Sequence, residues 1–252
     1  MENLLCIKGK IIGKGKPLVC VPVMESSKEE ILRETRRLEE AHTEMIEWRV
    51  DAFENVESPN AIREILNEMK HIIKESILVY TFRSKNQGGC KALSAADIYD
   101  IHQVAAESDV VDFIDVEYFE AKNPQKEIAR LQEMGVYVIA SHHDFEQTPD
   151  PEVIRMLLEQ IRESGADVVK LAVMPQNMWD VLHLLEETNR FHENHPDHPL
   201  ITMSMGAKGG ISRVAGEFSC VTFGAGGQAS APGQLPVKQL EEILHILHQS
   251  VD

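Results

Sequence analysis

Basic residues are scarce in this chain. Its 252 residues hold 25 Lys and Arg against 41 Asp and Glu, which gives a formal net charge of −16 with histidine neutral. Proteins that bind duplex nucleic acid draw much of their affinity from clustered Lys and Arg, so this shortage argues against a nucleic-acid partner. An anionic substrate would require the few bases to be concentrated at one place.

Long apolar runs are also missing. No stretch of the sequence approaches the roughly 18 consecutive apolar residues of a membrane span. The first residues place Glu2 where a signal peptide needs bases, and Lys8 interrupts any apolar region that follows. We therefore expect a cytoplasmic protein with no membrane partner.

Cysteine is rare and dispersed. The four cysteines lie far apart in the sequence and form no C-x-x-C pair: Cys6, Cys20, Cys90 and Cys220. This spacing indicates neither a zinc site nor a redox motif. Reduced, mostly buried thiols are the expected state in the cytoplasm.

The chain is rich in short apolar runs that alternate with segments of helical period. Eight such β-branched runs span residues 18–23, 45–50, 77–83, 111–117, 137–141, 168–173, 200–205 and 220–223. Strand and helix in alternation indicate a parallel sheet with crossover helices. Eight repeats in a chain of this length predict a single α/β fold, a closed (β/α)8 TIM barrel, rather than an open doubly wound sheet.

Two further segments accompany the predicted barrel. Residues 1–17, with Gly9 in the middle of the first part, predict an N-terminal β-hairpin that closes the barrel floor. Residues 224–236 are glycine-rich and too poor in apolar side chains to pack, which is typical of a mobile lid. No composition shift marks a second domain, so we expect residues 1–252 to form one domain.

Charged residues lie at the C-terminal ends of two of the runs, which is where barrel enzymes carry their catalytic residues. Strand alternation would place Glu47, Arg49 and Asp51 on one inward face. Two interpretations are equally supported for these residues: a Glu–Arg ion pair that closes the top of the barrel, or direct contact with a substrate. Arg83, at the end of the third run, either holds a loop or binds a carboxylate or phosphate.

Two adjacent histidines follow the fifth run. His142 and His143 would point to opposite faces of a strand, so at most one enters the lumen and a His-His-Asp metal site is not expected. One histidine is a candidate general acid and base, since imidazole exchanges protons near neutral pH. The alternative is a histidine that anchors a turn through Asp144.

A single lysine interrupts the sixth run. Lys170 stands among apolar residues in the segment 168–173. Burial disfavours the charged form of an ammonium, and the free amine can form Schiff bases with ketones and aldehydes. A lysine that extends to solvent is the alternative, although it is less expected within a parallel strand buried on both faces.

Seven ordered motifs resemble the type I 3-dehydroquinate dehydratase family. They are Glu47-Trp48-Arg49-Val50-Asp51, Thr81-Phe82-Arg83-Ser84, His143-Asp144-Phe145, Lys170 with Ala172-Val173-Met174-Pro175, Ile201-Thr202-Met203-Ser204-Met205, Ile211-Ser212-Arg213 and Ser230-Ala231-Pro232-Gly233-Gln234. The resemblance covers the chain from about Pro17 to its end. It implies a dimeric barrel, without metal or external cofactor, that dehydrates 3-dehydroquinate to 3-dehydroshikimate in the shikimate route to chorismate and aromatic amino acids.

The resemblance also implies roles for single residues. Lys170 would form a Schiff base with the substrate ketone, and His143 would act first as base and then as acid. Gln87 occupies the position of a family glutamate that pairs with the histidine, so we expect an active enzyme that is slower or has a shifted pH optimum. The substrate-binding residues would be Glu47, Arg49, Arg83, Met203, Met205, Arg213, Ser230 and Gln234, with Arg213 on the carboxylate.

Two other functions stay open. A Schiff-base aldolase on a similar barrel would cleave a sugar phosphate and would need a phosphate site near the last two strands. A catalytically impaired paralogue would bind a shikimate-type metabolite without converting it. Gln87 and Cys90, which replace residues that are commonly glutamates in the family, are the support for the paralogue.

Overall fold

The computed structural model describes residues 5–215, 218–227 and 229–249. Residues 1–4 of the predicted hairpin, Gln228 of the predicted lid and residues 250–252 of the predicted domain lie outside this part. The strands are β1 (Leu5–Ile7), β2 (Lys10–Ile12), β3 (Leu18–Val23), β4 (Met45–Arg49), β5 (Ile77–Thr81), β6 (Phe113–Glu117), β7 (Tyr137–Asp144), β8 (Val168–Val173), β9 (Leu200–Ser204), β10 (Val221–Ala225) and β11 (Leu235–Pro236). The α-helices are α1 (Lys28–Glu40), α2 (Pro59–Ile72), α3 (Ala95–Ala106), α4 (Pro124–Glu133), α5 (Pro151–Arg162), α6 (Met178–Asn194) and α7 (Val237–Gln249).

Eight parallel strands, β3 to β10, form the wall of a barrel. Neighbours from β3 to β9 pair in chain order, and β10 pairs with β3. The seam between β9 and β10 is joined by a backbone hydrogen bond in which Cys220 N donates to Leu200 O at 2.9 Å. The α/β barrel that the alternating runs predict is therefore confirmed.

Each barrel strand is buried on both of its faces, because helices cover the outside and side chains fill the lumen. In β4, Ile46 and Trp48 pack outward with the helices, whereas Met45 belongs to the lumen core. The helices supply matching apolar stripes; α5, for example, begins at Pro151 and buries Ile154, Leu158 and Ile161. This pleat places alternate residues of every strand inside the barrel.

The hairpin β1–β2 closes the floor of the barrel, as predicted. Its strands pair antiparallel. Ile7 and Ile12 pack in the lumen core with Leu18, Met45 and Ile77, which lie at the beginnings of the barrel strands. The lower lumen is therefore an apolar plug. The polar residues Glu47, Arg83 and Lys170 lie above it, toward the C-terminal ends of the strands.

The crossover from β9 to β10 departs from the predicted strand–helix repeat. Within the described ranges it carries a six-residue 3-10 helix, Lys208–Arg213, instead of an α-helix. The segment folds back tightly on the end of β9: a Cβ at Gly209 would lie 2.0 Å from Ser204 O. Glycine is thus required there, because any larger side chain would collide with the end of β9.

Two properties of the chain bear on the earlier expectations. None of the helices in the described part is long and apolar enough to cross a membrane. The four cysteines are free thiols, but Cys6 and Cys90 are exposed, so the expectation of mostly buried thiols holds only for Cys20 and Cys220.

Candidate active site

The C-terminal ends of the strands surround one cavity. Its polar lining consists of Glu47, Arg49, Arg83, Gln87, His143, Lys170, Ser230 and Gln234, and its apolar wall includes Phe145, Ala172, Met203, Met205 and Phe223. Every residue predicted for the site lines this cavity except Arg213, which lies beside it. The scattered motifs therefore converge on one place.

Lys170 lies at the centre of the lumen, on β8. Its side chain is buried, and its Nζ donates a hydrogen bond to Asp115 Oδ2 at 2.9 Å. The same Nζ lies 3.9 Å from Glu47 Oε1 and 4.7 Å from the centre of the Phe223 ring. Lys170 therefore does not extend to bulk solvent but opens onto the cavity.

Asp115 joins Lys170 to Arg83. The Arg83 guanidinium contacts Asp115 Oδ2 at 2.9 Å and also Glu117 Oε1 at 2.8 Å, while Ser141 Oγ donates to Asp115 Oδ1 at 2.6 Å. Burial alone would raise the pKa of Asp115, but Arg83 and Lys170 outweigh it and hold that pKa well below its usual range. Asp115 is therefore a permanently charged link between the two cations.

The residues Asp115, Glu117 and Ser141 were not predicted for the site. Asp115 and Glu117 alternate within β6, a strand that is otherwise apolar, and Ser141 pairs with Lys170 in the strand register. Two carboxylates on the inward face of a buried strand are costly unless they are paired. The same alternation rule that singled out Glu47 and Arg49 could have found them.

Arg49 is held by Asp51 rather than by Glu47. Arg49 Nε and Nη2 donate to the two Asp51 oxygens at 2.8 and 2.9 Å, whereas Glu47 Oε1 accepts from Thr81 Oγ1 at 2.9 Å. The predicted Glu–Arg pair is wrong in its partner because β4 ends at Arg49 and a 3-10 turn, Val50–Ala52, follows. That turn brings the Asp51 carboxylate back toward the guanidinium.

The two histidines lie inside β7, which extends to Asp144, and they point to opposite faces as predicted. His143 lines the cavity, whereas the His142 ring packs edge-on against Phe119, 4.9 Å between centroids. The turn that follows is anchored by the Asp144 carboxylate, which accepts from the backbone N–H groups of Glu146 and Gln147. Neither histidine is needed as an anchor for this turn.

Gln87 orients the His143 ring. Gln87 Oε1 accepts the backbone N–H of His143 at 2.8 Å and lies 3.1 Å from His143 Nδ1. A backbone N–H can only donate, so the atom facing it is the amide oxygen, and the imidazole proton sits on Nδ1. Nε2 of His143 is left as the basic nitrogen.

The charge environment keeps the His143 imidazole neutral near pH 7. Burial, reinforced by the positive charges of Arg83 and Lys170, lowers the pKa of His143 well below its usual value, and Asp115 only partly offsets this. A neutral imidazole with a free Nε2 is the form that can remove a proton.

The loop that carries Gln87 needs two glycines. Gly88 ends the 3-10 turn Lys85–Gln87 in the left-handed region at φ 82°, and it packs on the Phe145 ring. A Cβ at Gly89 would lie 1.8 Å from Arg83 O. The Gly88-Gly89 pair therefore allows the loop to close over the end of β5.

Arg213 has no carboxylate partner among the described residues. Its guanidinium faces Pro232 O at 3.0 Å, Phe223 O at 3.5 Å and Met203 Sδ at 3.9 Å, and its Nε is buried with no hydrogen-bond partner there. Burial lowers the pKa of Arg213 to about 10. Arg213 is thus a buried cation held by neutral groups.

The predicted lid is docked beside Arg213. Gly206 N donates to Pro232 O at 3.0 Å, and Ser230 and Gln234 hydrogen-bond each other. Its predicted boundaries are too wide, since Gly224 and Ala225 belong to β10 and Leu235–Pro236 forms β11 alongside it. From the described part of this loop, Ser230, Ala231 and Gln234 line the cavity.

The family model for type I 3-dehydroquinase matches residues 19–251. The chain is 42% identical to the 3-dehydroquinate dehydratase of Clostridioides difficile strain 630 over 100% of both chains, and 37% identical to that of Bacillus subtilis strain 168 over 98% of each. It superposes on a crystal structure of the type I enzyme from C. difficile, with covalently modified comenic acid, at a TM-score of 0.94, 41% identity and 100% coverage of both chains. The 3-dehydroquinate dehydratase of Geobacillus kaustophilus gives a TM-score of 0.93 at 31% identity, over 98% of this chain and 97% of that one. The chain therefore belongs to the type I 3-dehydroquinase family.

Proposed function

We propose that this protein dehydrates 3-dehydroquinate to 3-dehydroshikimate, in the shikimate route to chorismate and aromatic amino acids, through a Schiff base on Lys170. The observation that carries the proposal is that the buried Lys170 side chain opens onto the same cavity as His143, whose pKa is held well below its usual value. A ketone substrate held in that cavity meets a nucleophile and a base together.

Lys170 supplies the nucleophile. Its ammonium gives up a proton, the amine adds to the ketone carbon, and water leaves as the C=N bond forms. The resulting iminium is again a cation at the position of the original ammonium. Asp115, at 2.9 Å from Nζ, and the Phe223 ring therefore pair equally well with both states, so the step requires little rearrangement of charge.

His143 supplies the base. The iminium acidifies the carbon next to the former ketone, and Nε2 of His143 removes that proton. The C–H electron pair forms a new C=C bond while the π pair of the C=N bond moves to nitrogen, which gives a neutral enamine. The hydroxyl on the following carbon then departs as water, with the proton that His143 returns. Hydrolysis of the remaining iminium releases the enone product and restores Lys170.

The rest of the cavity binds the substrate. Arg213, with a buried Nε that has no partner in the described part of the chain, is the group for the substrate carboxylate. Glu47, Arg49 and Arg83, which line the cavity, would contact the ring hydroxyls, and Met203 and Met205 would form an apolar wall beside the substrate. Ser230 and Gln234 close the cavity from the lid side.

The same proposal includes one domain over residues 1–252, a homodimer and a cytoplasmic location, with no metal, cofactor or nucleic acid. The family resemblance supports the dimer and the cofactor-free chemistry, and the net charge of −16 argues against a nucleic-acid partner. Sedimentation of the purified chain distinguishes a dimer from a monomer, and a monomer at micromolar concentration would contradict this part.

The activity is tested by adding 3-dehydroquinate and following the absorbance of the conjugated enone. The wild type is expected to form product, and Lys170→Ala is expected to form none above background. Cleavage of a sugar phosphate would indicate an aldolase instead. Calorimetric binding of 3-dehydroquinate without product would indicate an impaired paralogue.

A further inference from the structure

Asp51 is a buried carboxylate at the rim of the cavity that receives four hydrogen bonds. Two come from the Arg49 guanidinium, at 2.8 and 2.9 Å, one from Arg83 N at 3.3 Å and one from Cys90 N at 3.0 Å. Its side chain has no exposed surface. Asp51 itself is not among the residues that line the cavity, whereas Arg49 is.

We propose that Asp51 is a positioning residue for substrate binding and acts through the Arg49 guanidinium. This rests on the proposed function, in which Arg49 contacts the substrate. A two-point contact fixes the plane of a guanidinium as well as its position, so Asp51 determines which Arg49 donors face the cavity.

Charge supports this assignment. Burial opposes the charge on Asp51, but Arg49 and the backbone N–H groups of Cys90 and Arg83 outweigh burial and hold the pKa of Asp51 below its usual value. The carboxylate is therefore ionised throughout the neutral pH range. Arg49 in turn always has an anionic partner outside the substrate's path.

Without Asp51, Arg49 has another carboxylate within the lumen. Glu47 lies two residues earlier on β4, on the same inward face, and now accepts from Thr81 while it stands 3.9 Å from Lys170 Nζ. An Arg49 released from Asp51 can turn toward Glu47. Asp51 thus keeps Arg49 at the rim and leaves Glu47 beside the lysine.

Asp51 also closes the loop that carries Gln87. Its contacts with Arg83 N and Cys90 N tie together the two ends of residues 83–90, from which Gln87 reaches His143. The same carboxylate thereby holds a substrate-binding arginine and the segment that orients the base. The two roles separate in a double-mutant cycle, because an effect that passes through Arg49 disappears when Arg49 is replaced, whereas an effect on the loop remains.

The test is a double-mutant cycle in the full-length chain with 3-dehydroquinate as substrate. Asp51→Asn keeps the shape and removes the charge, and we expect KM to rise by about 10- to 100-fold, as for a lost uniform-binding contact. Any fall in kcat reports the loop contacts and is expected to be the same in an Arg49→Met background. In an Arg49→Met background the same change is expected to alter KM by less than about threefold, because the group through which Asp51 acts is gone.

The matched control is Glu187→Gln. Glu187 is a buried carboxylate with a two-point contact to Arg155, at 2.7 and 2.9 Å, between α5 and α6 and away from the cavity. Its substitution is expected to lower thermal stability without changing KM. If Asp51→Asn does not fold, Asp51→Ser, which leaves room for water, takes its place in the cycle.

Several results would overturn the assignment. An Asp51→Asn enzyme with wild-type KM would do so, as would effects on KM that simply multiply in the double variant. If the wild type shows no turnover, the proposed function fails, and the same cycle is measured as binding of 3-dehydroquinate by calorimetry. A wild type that neither converts nor binds this compound overturns both proposals.

Discussion

The two sides of the cavity differ in whether their buried cations have carboxylate partners. On the side built from β4 to β8, the cations Arg49, Arg83 and Lys170 each have a carboxylate oxygen within 2.9 Å. On the side built from β9, β10 and the lid, Arg213 contacts carbonyl oxygens and a thioether, and no carboxylate among the described residues. Before substrate binds, the three cations of the first side each have a carboxylate partner, whereas Arg213 on the second side has none among the described residues.

This difference suggests that the first side carries out catalysis and that the second side binds the substrate carboxylate. A paired, hydrogen-bonded network costs no reorganisation when charge moves during the reaction, which suits the side that holds Lys170 and His143. A buried cation without a counterion is unfavourable in the free protein, and an arriving carboxylate relieves that cost. Substrate binding energy is therefore expected to arise mainly at Arg213.

The largest effect is expected from replacing the base, His143, on the side built from β4 to β8. His143→Gln keeps a polar side chain of similar reach but cannot transfer a proton, so kcat is expected to fall by about 10²- to 10⁴-fold. Schiff-base formation should persist, because Lys170 and Asp115 are untouched. Steady-state kinetics and borohydride trapping measure the two properties; a loss of trapping together with kcat would contradict the division of roles.

Removing an arginine from each side should change stability in different ways. Arg83→Met leaves Glu117 in the lumen with the Ser84 N–H but no cation among the described residues, while Asp115 keeps Lys170 and Ser141. The loss of this buried cation is expected to reduce the free energy of unfolding by about 3–5 kcal/mol. Arg213→Met removes a buried cation that lacks a carboxylate in the described part, so stability should be unchanged or higher. Denaturant unfolding measures both variants, and an equal loss in both would remove the basis of the comparison.

Arg213→Met should weaken substrate binding although it spares the fold. The loss of a charged, desolvated contact with a carboxylate is expected to cost about 2–5 kcal/mol of binding free energy. Calorimetric titration with 3-dehydroquinate measures the affinity, and Lys208→Met, an exposed cation in the same 3-10 helix, serves as the control. An affinity equal to that of the wild type would show that the carboxylate binds elsewhere.

The smallest expected effect concerns Gln87. Because the pKa of His143 is held low, its basic form persists below pH 6.5, and activity should fall only at more acid pH. In Gln87→Glu a carboxylate faces Nδ1, stabilises the imidazolium and raises the pKa of His143, so the acid limb of the pH–rate profile should move upward. Turnover on the plateau is expected to rise severalfold, since a stronger base removes the proton faster.

Asn86→Asp is the control for this change, since it adds the same charge on the exposed side of the same turn. Its profile is expected to match that of the wild type. An unchanged acid limb and turnover in Gln87→Glu would mean that the amide orients His143 as effectively as a carboxylate.

The alternation of side chains along a strand predicts most of the residues that face the lumen. The period of two placed Glu47 and Arg49 on the lumen face, separated His142 from His143 and put Lys170 inside, because a pleated strand leaves no other choice. The same rule applied to β6 indicates Asp115 and Glu117, which were overlooked because no basic residue accompanies them in sequence. Their partner, Arg83, comes from the adjacent strand.

Other features lie beyond local pattern. The period predicts that Asp51 continues the strand, but the 3-10 turn at Val50–Ala52 returns its carboxylate to Arg49. The α-helix missing between β9 and β10 reflects the contact of Gly209 with Ser204, which depends on tertiary structure. The docking of the lid through Pro232 also depends on its distant partners, Gly206 and Arg213.

The covalent role of Lys170 is the proposal on which the other catalytic roles depend. It is tested most directly by incubating the protein with 3-dehydroquinate, reducing with borohydride and locating the added mass by peptide mass spectrometry. One adduct is expected, on the peptide that contains Lys170, and it should be absent in Lys170→Ala. An adduct on another lysine, or product formation by Lys170→Ala at the wild-type rate, would contradict it.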